Sequence, residues 1–276
     1  MTIEKALHHI GVDGFYVMHD VVTEEEAERI RQSVWETAAG RKSGATSGSV
    51  APSRRSLPSS VDFQAGLISK DQSFAEHLAN PKILGVAEAL FGEHVRVSFT
   101  SAIINNPGNP RSGWHADWPF NQEVAGHIPA PYPDMVAHLT TIWMWSPFSE
   151  ETGGTLIVPG SHRSDNNPTG ENGVDPMAPY PTELNATGGA GSVLLFDSRC
   201  WHATATNTSD EPRVGLAVRY APWWLNLDVL MPGSEEQMRM GEEAGYRTNN
   251  VPSVPSVVYE RLPSKVQPLF RHWVRE

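Results

Sequence analysis

The sequence predicts a mainly β protein with flanking helices, an antiparallel sandwich or barrel. Three observations carry this reading. Short runs rich in β-branched and aromatic residues recur from Val95 onward. Gly, Pro and Asn punctuation separates them, with no helical segments between, which argues against a parallel βαβ arrangement. Gly and Pro are also frequent, at 23 and 22 of 276 residues, as a chain of many turns requires.

In chain order, residues 12–18 read as a short strand. Thr23 and Glu26 form a capping box, in which the hydroxyl accepts from an early helical amide and the Glu reaches back. Ala27, Ile30 and Val34 follow at helical spacing, so 24–38 reads as a helix. Residues 40–60 are rich in Gly, Ser, Arg and Pro and read as a long loop. Helices are expected at 74–78 and 81–90, the second opened by Pro81 and stopped by Gly92. Strands are expected at 95–104, 137–145, 155–158, 192–196 and 214–220. Residues 163–191 read as a loop-heavy insertion, and 251–276 as a Pro-rich stretch followed by one short helix. One domain is expected over 1–276: helical support to about 94, a β core over 95–222, and a C-terminal extension over 223–276.

Composition narrows the function classes. Lys and Arg total 21 against 32 Asp and Glu, a net charge of −11. That balance disfavours nucleic acid, whose affinity comes mostly from clustered basic residues. No run approaches the roughly 18 apolar residues of a membrane span. The first residues lack the apolar core of a secretory signal. Cys200 is the only cysteine, which excludes an intrachain disulfide framework and favours a reducing compartment. The expected picture is a soluble, cytoplasmic, single-domain protein; the sequence sets no oligomeric state.

Among 11 histidines a His-x-Asp triplet is weak evidence alone. His115-Ala116-Asp117 gains weight from its setting, after a strand and a turn and among Trp114, Trp118 and Phe120. In extended chain, positions i and i+2 project to one side, so one imidazole and one carboxylate can meet the same ion. His202, just past the apolar run 193–197, is the candidate third ligand. Two His and one carboxylate, with open positions, form the ligand set of non-haem iron(II) oxygenases. Arg213 follows eleven positions later at the start of the next strand. A turn-rich link of hairpin type, 207–212, would set the two side by side, where the guanidinium could pair bidentately with a carboxylate.

These residues carry a resemblance. Trp114-His-Ala-Asp-Trp118, then Trp143 through Glu150-Glu-Thr-Gly-Gly154-Thr-Leu-Ile-Val-Pro-Gly-Ser-His162, then Phe196-Asp-Ser-Arg-Cys-Trp-His202, then Asn207-Thr-Ser and Arg213, resemble the phytanoyl-CoA dioxygenase family over about residues 95–220. The resemblance implies a double-stranded β-helix, the jelly-roll or cupin-like barrel. It implies iron(II), with 2-oxoglutarate and O2 as co-substrates, and hydroxylation of an unactivated C–H bond with release of succinate and CO2. It implies His115, Asp117 and His202 as catalytic metal ligands and Arg213 as the 2-oxoglutarate arginine. Thr204 falls where the family has a co-substrate-binding hydroxyl. Thr141 and Trp143 would line the same pocket, and Asn105 or Asn106 would end another of its strands. The segment between Asp117 and Trp143 departs from the family in length and carries Gly126-His-Ile-Pro-Ala-Pro-Tyr-Pro133. Residues 126–134 and 40–60 are expected to close over substrate.

Other features receive plainer readings. His162 is structural, Cys200 a buried small hydrophobe, and 188–191 a glycine turn. Trp223 and Trp224 are a substrate wall or core, Arg54 and Arg55 a solvated loop, and Trp118 and Phe120 a pocket shield. No role follows for His127 or His138. A non-catalytic barrel would be expected to have lost a ligand, and a zinc hydrolase leaves Arg213 and Thr204 idle. Asp117 disfavours a halogenase, in which a small residue replaces the carboxylate.

Overall fold

The chain opens with a helix that the strand expectation overlooked. α1 (Ile3–Val12) buries Ala6 and Ile10, one turn apart, and packs Leu7 against the same core, with Ile3 and Val12 exposed. Ile3, Ala6, Leu7 and Ile10 fall at i, i+3, i+4 and i+7, a helical period that the strand expectation left unread. The expected strand at 12–18 therefore shortens to β1 (Phe15–Met18). α2 (Glu24–Ala39) starts at the capping box, the Glu26 amide donating to Thr23 Oγ1 at 3.3 Å. This computed structural model describes residues 3–39, 61–118, 134–165, 168, 174–244 and 251–275. The loop 40–60, with Arg54 and Arg55, lies outside the described residues, as do Phe120, His127 and 126–133.

The strands that follow are β2 (Asp62–Ala65), β3 (Arg96–Asn105), β4 (Leu139–Met144), β5 (Thr155–Ile157), β6 (Leu184–Ala186), β7 (Val193–Asp197), β8 (His202–Thr204), β9 (Arg213–Ala221), β10 (Val254–Pro255) and β11 (Val274–Arg275). Between β2 and β3 the expected helix at 74–78 is a 3₁₀ turn, Ala75–Ala79. α3 (Pro81–Phe91) follows, capped by Asn80, whose side chain accepts from the Lys82 amide at 2.9 Å. α4 (Glu235–Ala244) and two four-residue helical turns, Ser256–Tyr259 and Gln267–Phe270, complete the described elements. The insertion at 163–191 contributes β6, too short to read from sequence.

Two antiparallel sheets result, one of six strands in the order β1-β7-β4-β9-β3-β2 and one of three in the order β6-β5-β8. β10 and β11 pair separately and in parallel. The larger sheet is buried on both faces: every residue of β4 and β9 is buried. α1, α2 and α3 and the C-terminal Phe270 and Trp273 join its apolar cluster. A second cluster, including Trp114, Leu156, Trp201 and Ala203, covers one face of the smaller sheet. Side chains alternate along a strand, so Thr155, Ile157, His202 and Thr204 occupy its other face. There the two sheets meet, with the Phe196 ring of β7 tilted against that of His202 of β8, centroids 4.7 Å apart. The link 205–212 is therefore a crossover from the smaller sheet to the larger, correcting the expected hairpin.

Candidate metal centre

The backbone joins the first histidine to the distal one directly. The His115 amide donates to His202 O at 3.0 Å and the His202 amide to His115 O at 2.9 Å, adding one rung to the smaller sheet. The imidazoles lie 4.1 Å apart. Asp117, two residues on, has its amide tied to Ser198 O at 2.8 Å, just beyond β7. Ligand atoms of His115, Asp117 and His202 all lie within 4.8 Å of one another.

Hydrogen bonds set which atoms face inward. His115 Nδ1 lies 3.1 Å from Gly113 O and His202 Nδ1 lies 3.0 Å from Cys200 O. A carbonyl only accepts, so both imidazoles carry the proton on Nδ1 and leave Nε2 as an acceptor. This is the tautomer that suits a metal ligand. Burial, reinforced by the neighbouring His115, pushes His202 down to about 3. It is neutral near pH 7 and needs to lose no proton to bind a cation. Burial alone would raise the Asp117 carboxyl. Arg219, the two imidazoles and a hydrogen bond from Thr140 outweigh it and hold that carboxyl well below the usual carboxylate range.

Arg219 and Thr140 are the residues that sequence reasoning missed. Arg219 donates to Asp117 Oδ1 through Nη2 and stacks 4.4 Å over the Phe99 ring. Thr140 donates to Asp117 Oδ2 at 2.8 Å. Thr140 pairs with Arg219 across β4 and β9, so both point to the candidate metal ligands. Thr141 and Trp143 then point to the opposite face, which corrects their expected place in the pocket. Thr141 Oγ1 donates to Val218 O at 2.9 Å and accepts from Trp143 Nε1 at 3.2 Å, while Trp143 packs with Trp145 and His77. The cause is a parity slip of one residue, which moves every side chain of a strand to the other face.

Arg213 lies six positions from Arg219 on the same face of β9. It is fully buried, with Nη1 donating to Gly153 O at 2.7 Å and the guanidinium 4.1 Å over the Phe148 ring. Among the described residues no carboxylate pairs with it, and its Nε has no acceptor. Burial lowers it to about 9. Gly153 sits at φ +77°, and a Cβ there would fall 2.5 Å from Asn105 Nδ2 and 2.6 Å from Ala205 O. The Gly153 position thus demands glycine both for its backbone and for the space that Asn105 needs. Asn105, the register partner of Arg213, bonds Ala205 O at 3.1 Å and keeps a buried, unpartnered Oδ1. Its neighbour Asn106 instead bonds Asp62 at the surface, 2.7 Å away. Thr204 lies on the inward face of β8, two residues beyond His202. The donor set fits the group expected on the resemblance: two neutral nitrogens and a carboxylate for a divalent metal, and an orphaned guanidinium for an organic anion.

The remaining residues fall outside this cluster. Trp114 belongs to the second apolar cluster, with Nε1 donating to Ala178 O at 2.9 Å. His162 packs under Gly14, and the Cys200 thiol, raised by burial, donates to Gly14 O at 3.3 Å. Trp223 and Trp224 are exposed. Gly191 closes the 188–191 turn, its carbonyl accepting from the Val21 and Val22 amides.

Two antiparallel sheets enclosing two histidines and a carboxylate define a class, the proteins that hold a divalent metal with positions left open. Comparison with known proteins makes the class specific. The family model for phytanoyl-CoA dioxygenase (PhyH) matches residues 11–215, and the chain belongs to that family of iron(II)- and 2-oxoglutarate-dependent oxygenases. A dioxygenase of Aspergillus fumigatus is 28% identical over 223 residues, 80% of this chain and 67% of its own. An ectoine dioxygenase of Streptomyces coelicolor is 25% identical over 230 residues, 75% of this chain and 73% of its own. Among solved structures, the α-ketoglutarate-dependent carbocyclase SnoK of nogalamycin biosynthesis superposes with TM-score 0.60 at 18% identity, covering 91% of this chain and 95% of its own. The epimerase SnoN, in complex with Fe3+, α-ketoglutarate and nogalamycin RO, gives 0.61 at 19%, covering 84% and 91%.

Proposed function

We propose that this chain is an iron(II)- and 2-oxoglutarate-dependent dioxygenase that hydroxylates an unactivated C–H bond of a small-molecule substrate. His115, Asp117 and His202 would hold the iron, and Arg213 the far carboxylate of 2-oxoglutarate, with Thr204 and Asn105 beside it. Iron, O2 and 2-oxoglutarate together supply the oxidation, coupled to breakdown of the co-substrate to succinate and CO2. One observation carries the reading: a clustered His/Asp/His triad shares the inter-sheet space with a fully buried arginine that no carboxylate among the described residues pairs with. A buried guanidinium without a counter-ion is costly unless an anion comes to it.

The chain's own groups do the binding and orienting. The Nδ1–H bonds to Gly113 and Cys200 aim both imidazoles. Arg219 and Thr140 hold the Asp117 carboxylate. Gly153 O steers Arg213, whose remaining N–H groups suit a bidentate partner. We read the whole chain as one double-stranded β-helix domain. We place it in the cytoplasm, binding neither nucleic acid nor membrane. The acidic charge of −11 supports this, as does the fact that no described helix is long and apolar enough to cross a membrane.

The test is an anaerobic titration of the purified protein with iron(II) and then 2-oxoglutarate, followed by the visible charge-transfer absorbance of the chelate. We expect the band to appear and to vanish in His202→Ala. Succinate release across a substrate panel then identifies the target. A protein that binds zinc tightly, hydrolyses esters and ignores 2-oxoglutarate would overturn the reading.

A further inference from the structure

His138 is fully buried, sits immediately before β4, and takes no part in the activity as derived above. Its ring lies in a line of side chains that ends on a candidate metal ligand. Ser98 Oγ is 2.7 Å from His138 Nε2, His138 Nδ1 is 2.8 Å from Ser198 Oγ, and Ser198 Oγ is 2.7 Å from Thr140 Oγ1. Thr140 Oγ1 in turn lies 2.8 Å from Asp117 Oδ2. The protons in this line can be assigned from its end. An ionised carboxylate only accepts, so Thr140 spends its single proton on Asp117. Thr140 must then accept from Ser198, and Ser198 from His138. His138 therefore carries its proton on Nδ1, and Nε2 accepts from Ser98 at 2.7 Å, the shorter of that hydroxyl's two contacts, the other being Arg219 O at 3.3 Å. Burial, with Arg219 adding to it, pushes His138 down to about 3, which keeps the ring neutral and compatible with that single tautomer.

Two features of the backbone serve this line. The β3–β9 register slips between Val97 and Phe99, leaving Ser98 as the extra residue of a bulge with its hydroxyl turned to His138. Bulges commonly re-aim a side chain in this way. Ser198 grips the same region through its main chain as well. Its carbonyl accepts from the Asp117 and Trp118 amides, at 2.8 and 3.1 Å, and its own amide donates to His138 O at 3.0 Å.

We propose that His138 is a positioning residue for Asp117. Through Ser198 and Thr140 it directs a one-way chain of hydrogen bonds onto Oδ2, the oxygen 3.7 Å from His202 Nε2, while Arg219 holds Oδ1. Bonds aligned in one direction polarise one another, so His138 acts on the carboxylate through two intermediates. The proposal rests on the reading of Asp117 as a metal ligand. Its chemistry selects for a ring donor at Nδ1, not merely for a filled space.

The experiment uses Co(II) as a spectroscopic probe on the full chain. His138→Phe fills the space without a donor. His138→Asn places an amide N–H where Nδ1–H stood. We expect His138→Phe to weaken Co(II) binding by about 10–100-fold, the usual effect of losing an outer partner of a ligand, and to alter the Co(II) d–d spectrum. We expect His138→Asn to recover most of the affinity and the wild-type spectrum. If His138→Phe does not fold, Ser198→Ala carries the same test, because it removes one hydroxyl and leaves the imidazole in place. Folded variants with wild-type affinity and spectrum overturn the proposal, as does an equal loss in His138→Phe and His138→Asn. Failure of the metal-site reading shows separately, as a wild-type protein whose Co(II) binding is indifferent to His202→Ala.

Discussion

Arg213 and Arg219 occupy the same face of the same strand, six positions apart, and both are buried. Each stacks on a phenylalanine, Phe148 for one and Phe99 for the other. Their polar surroundings differ. Arg219 ends on a carboxylate, and that carboxylate also receives Thr140. Arg213 has one backbone carbonyl and no described carboxylate. On the proposed function, a single strand carries a structural charge and a binding charge. A guanidinium whose counter-ion is internal holds the architecture. A guanidinium left without one makes the folded state depend on an anion from outside, because desolvating a lone charge costs several kcal/mol.

The comparison breaks most completely when Asp117 is removed. Asp117→Ala would turn Arg219 into a second Arg213, buried and unpaired. We expect no turnover and no metal binding. We also expect a loss of about 3–5 kcal/mol, the usual cost of leaving one member of a buried pair alone, seen as a drop in Tm on the order of 10 °C. His115→Ala and His202→Ala should abolish metal binding with much smaller losses of Tm. Calorimetry of the three apo variants checks this, and equal melting of all three would show that the Arg219 contact does not matter to the fold.

Substitution at the other arginine should act with the opposite sign. Arg213→Met removes an uncompensated charge, so we expect the apo protein to melt no lower than wild type and up to a few degrees higher. The Tm rise that 2-oxoglutarate gives the wild type should disappear. Arg213→Lys keeps the charge and loses the planar fork. We expect its 2-oxoglutarate requirement to rise about tenfold or more, which corresponds to ~1.4 kcal/mol. An unchanged requirement would move the carboxylate to another residue, with Arg219 the next to test.

The contrast between the two arginines was only half legible in the sequence. The His-x-Asp triplet, the distal His202 and the interval to Arg213 are local and survive without any knowledge of pairing. Which face of β4 meets the metal ligands is not local. All of β4 is buried, so no hydrophobic alternation marks its inward side, and Thr140 could not be told from Thr141. Arg219 did leave a signal, as an arginine in the apolar run 214–220 and in phase with Arg213. Its partner Asp117 lies 102 positions away, beyond the reach of pattern reading. The strands β2, β6 and β8 escaped because three or four residues cannot display a period, and they lack the apolar runs that marked the equally short β1 and β5.

Acid should sharpen the polar side of the comparison. His138 and His202 are buried neutral, each lowered to about 3, whereas an unfolded imidazole takes its proton near 6.5. The unfolded state therefore binds more protons between those values, and stability falls as pH drops through that window. We expect each imidazole to contribute a slope of about 1.4 kcal/mol per pH unit in the apo protein. Denaturant unfolding at several pH values between about 4 and 6.5 measures it. His138→Asn should make the dependence shallower by one proton, and an unaltered slope would mean that His138 is protonated in the folded protein.

The smallest expected effect is none at all: excess chloride should yield no carbon–halogen product. A halide at the iron would have to take the place of Asp117, which is tethered to the chain and so present at a high effective concentration. That carboxylate is further held by Arg219 and Thr140, and displacing it would break a buried ion pair. Asp117→Gly changes the arithmetic, because it empties the place beside Arg219 and leaves a cation seeking an anion. With 2-oxoglutarate present, so that Arg213 is already paired, chloride should raise the Tm of Asp117→Gly and leave that of the wild type alone. Hydroxylation should be lost in this variant, and halogenation need not follow, since a bound halide must also be oriented by outer donors. A chlorinated product from the unmodified enzyme, detected by mass spectrometry, would show that Asp117 is displaceable. A chloride-insensitive Asp117→Gly would show instead that Arg219 finds another partner when its carboxylate is gone, and the distinction between the two arginines would then lie in local mobility and not in charge.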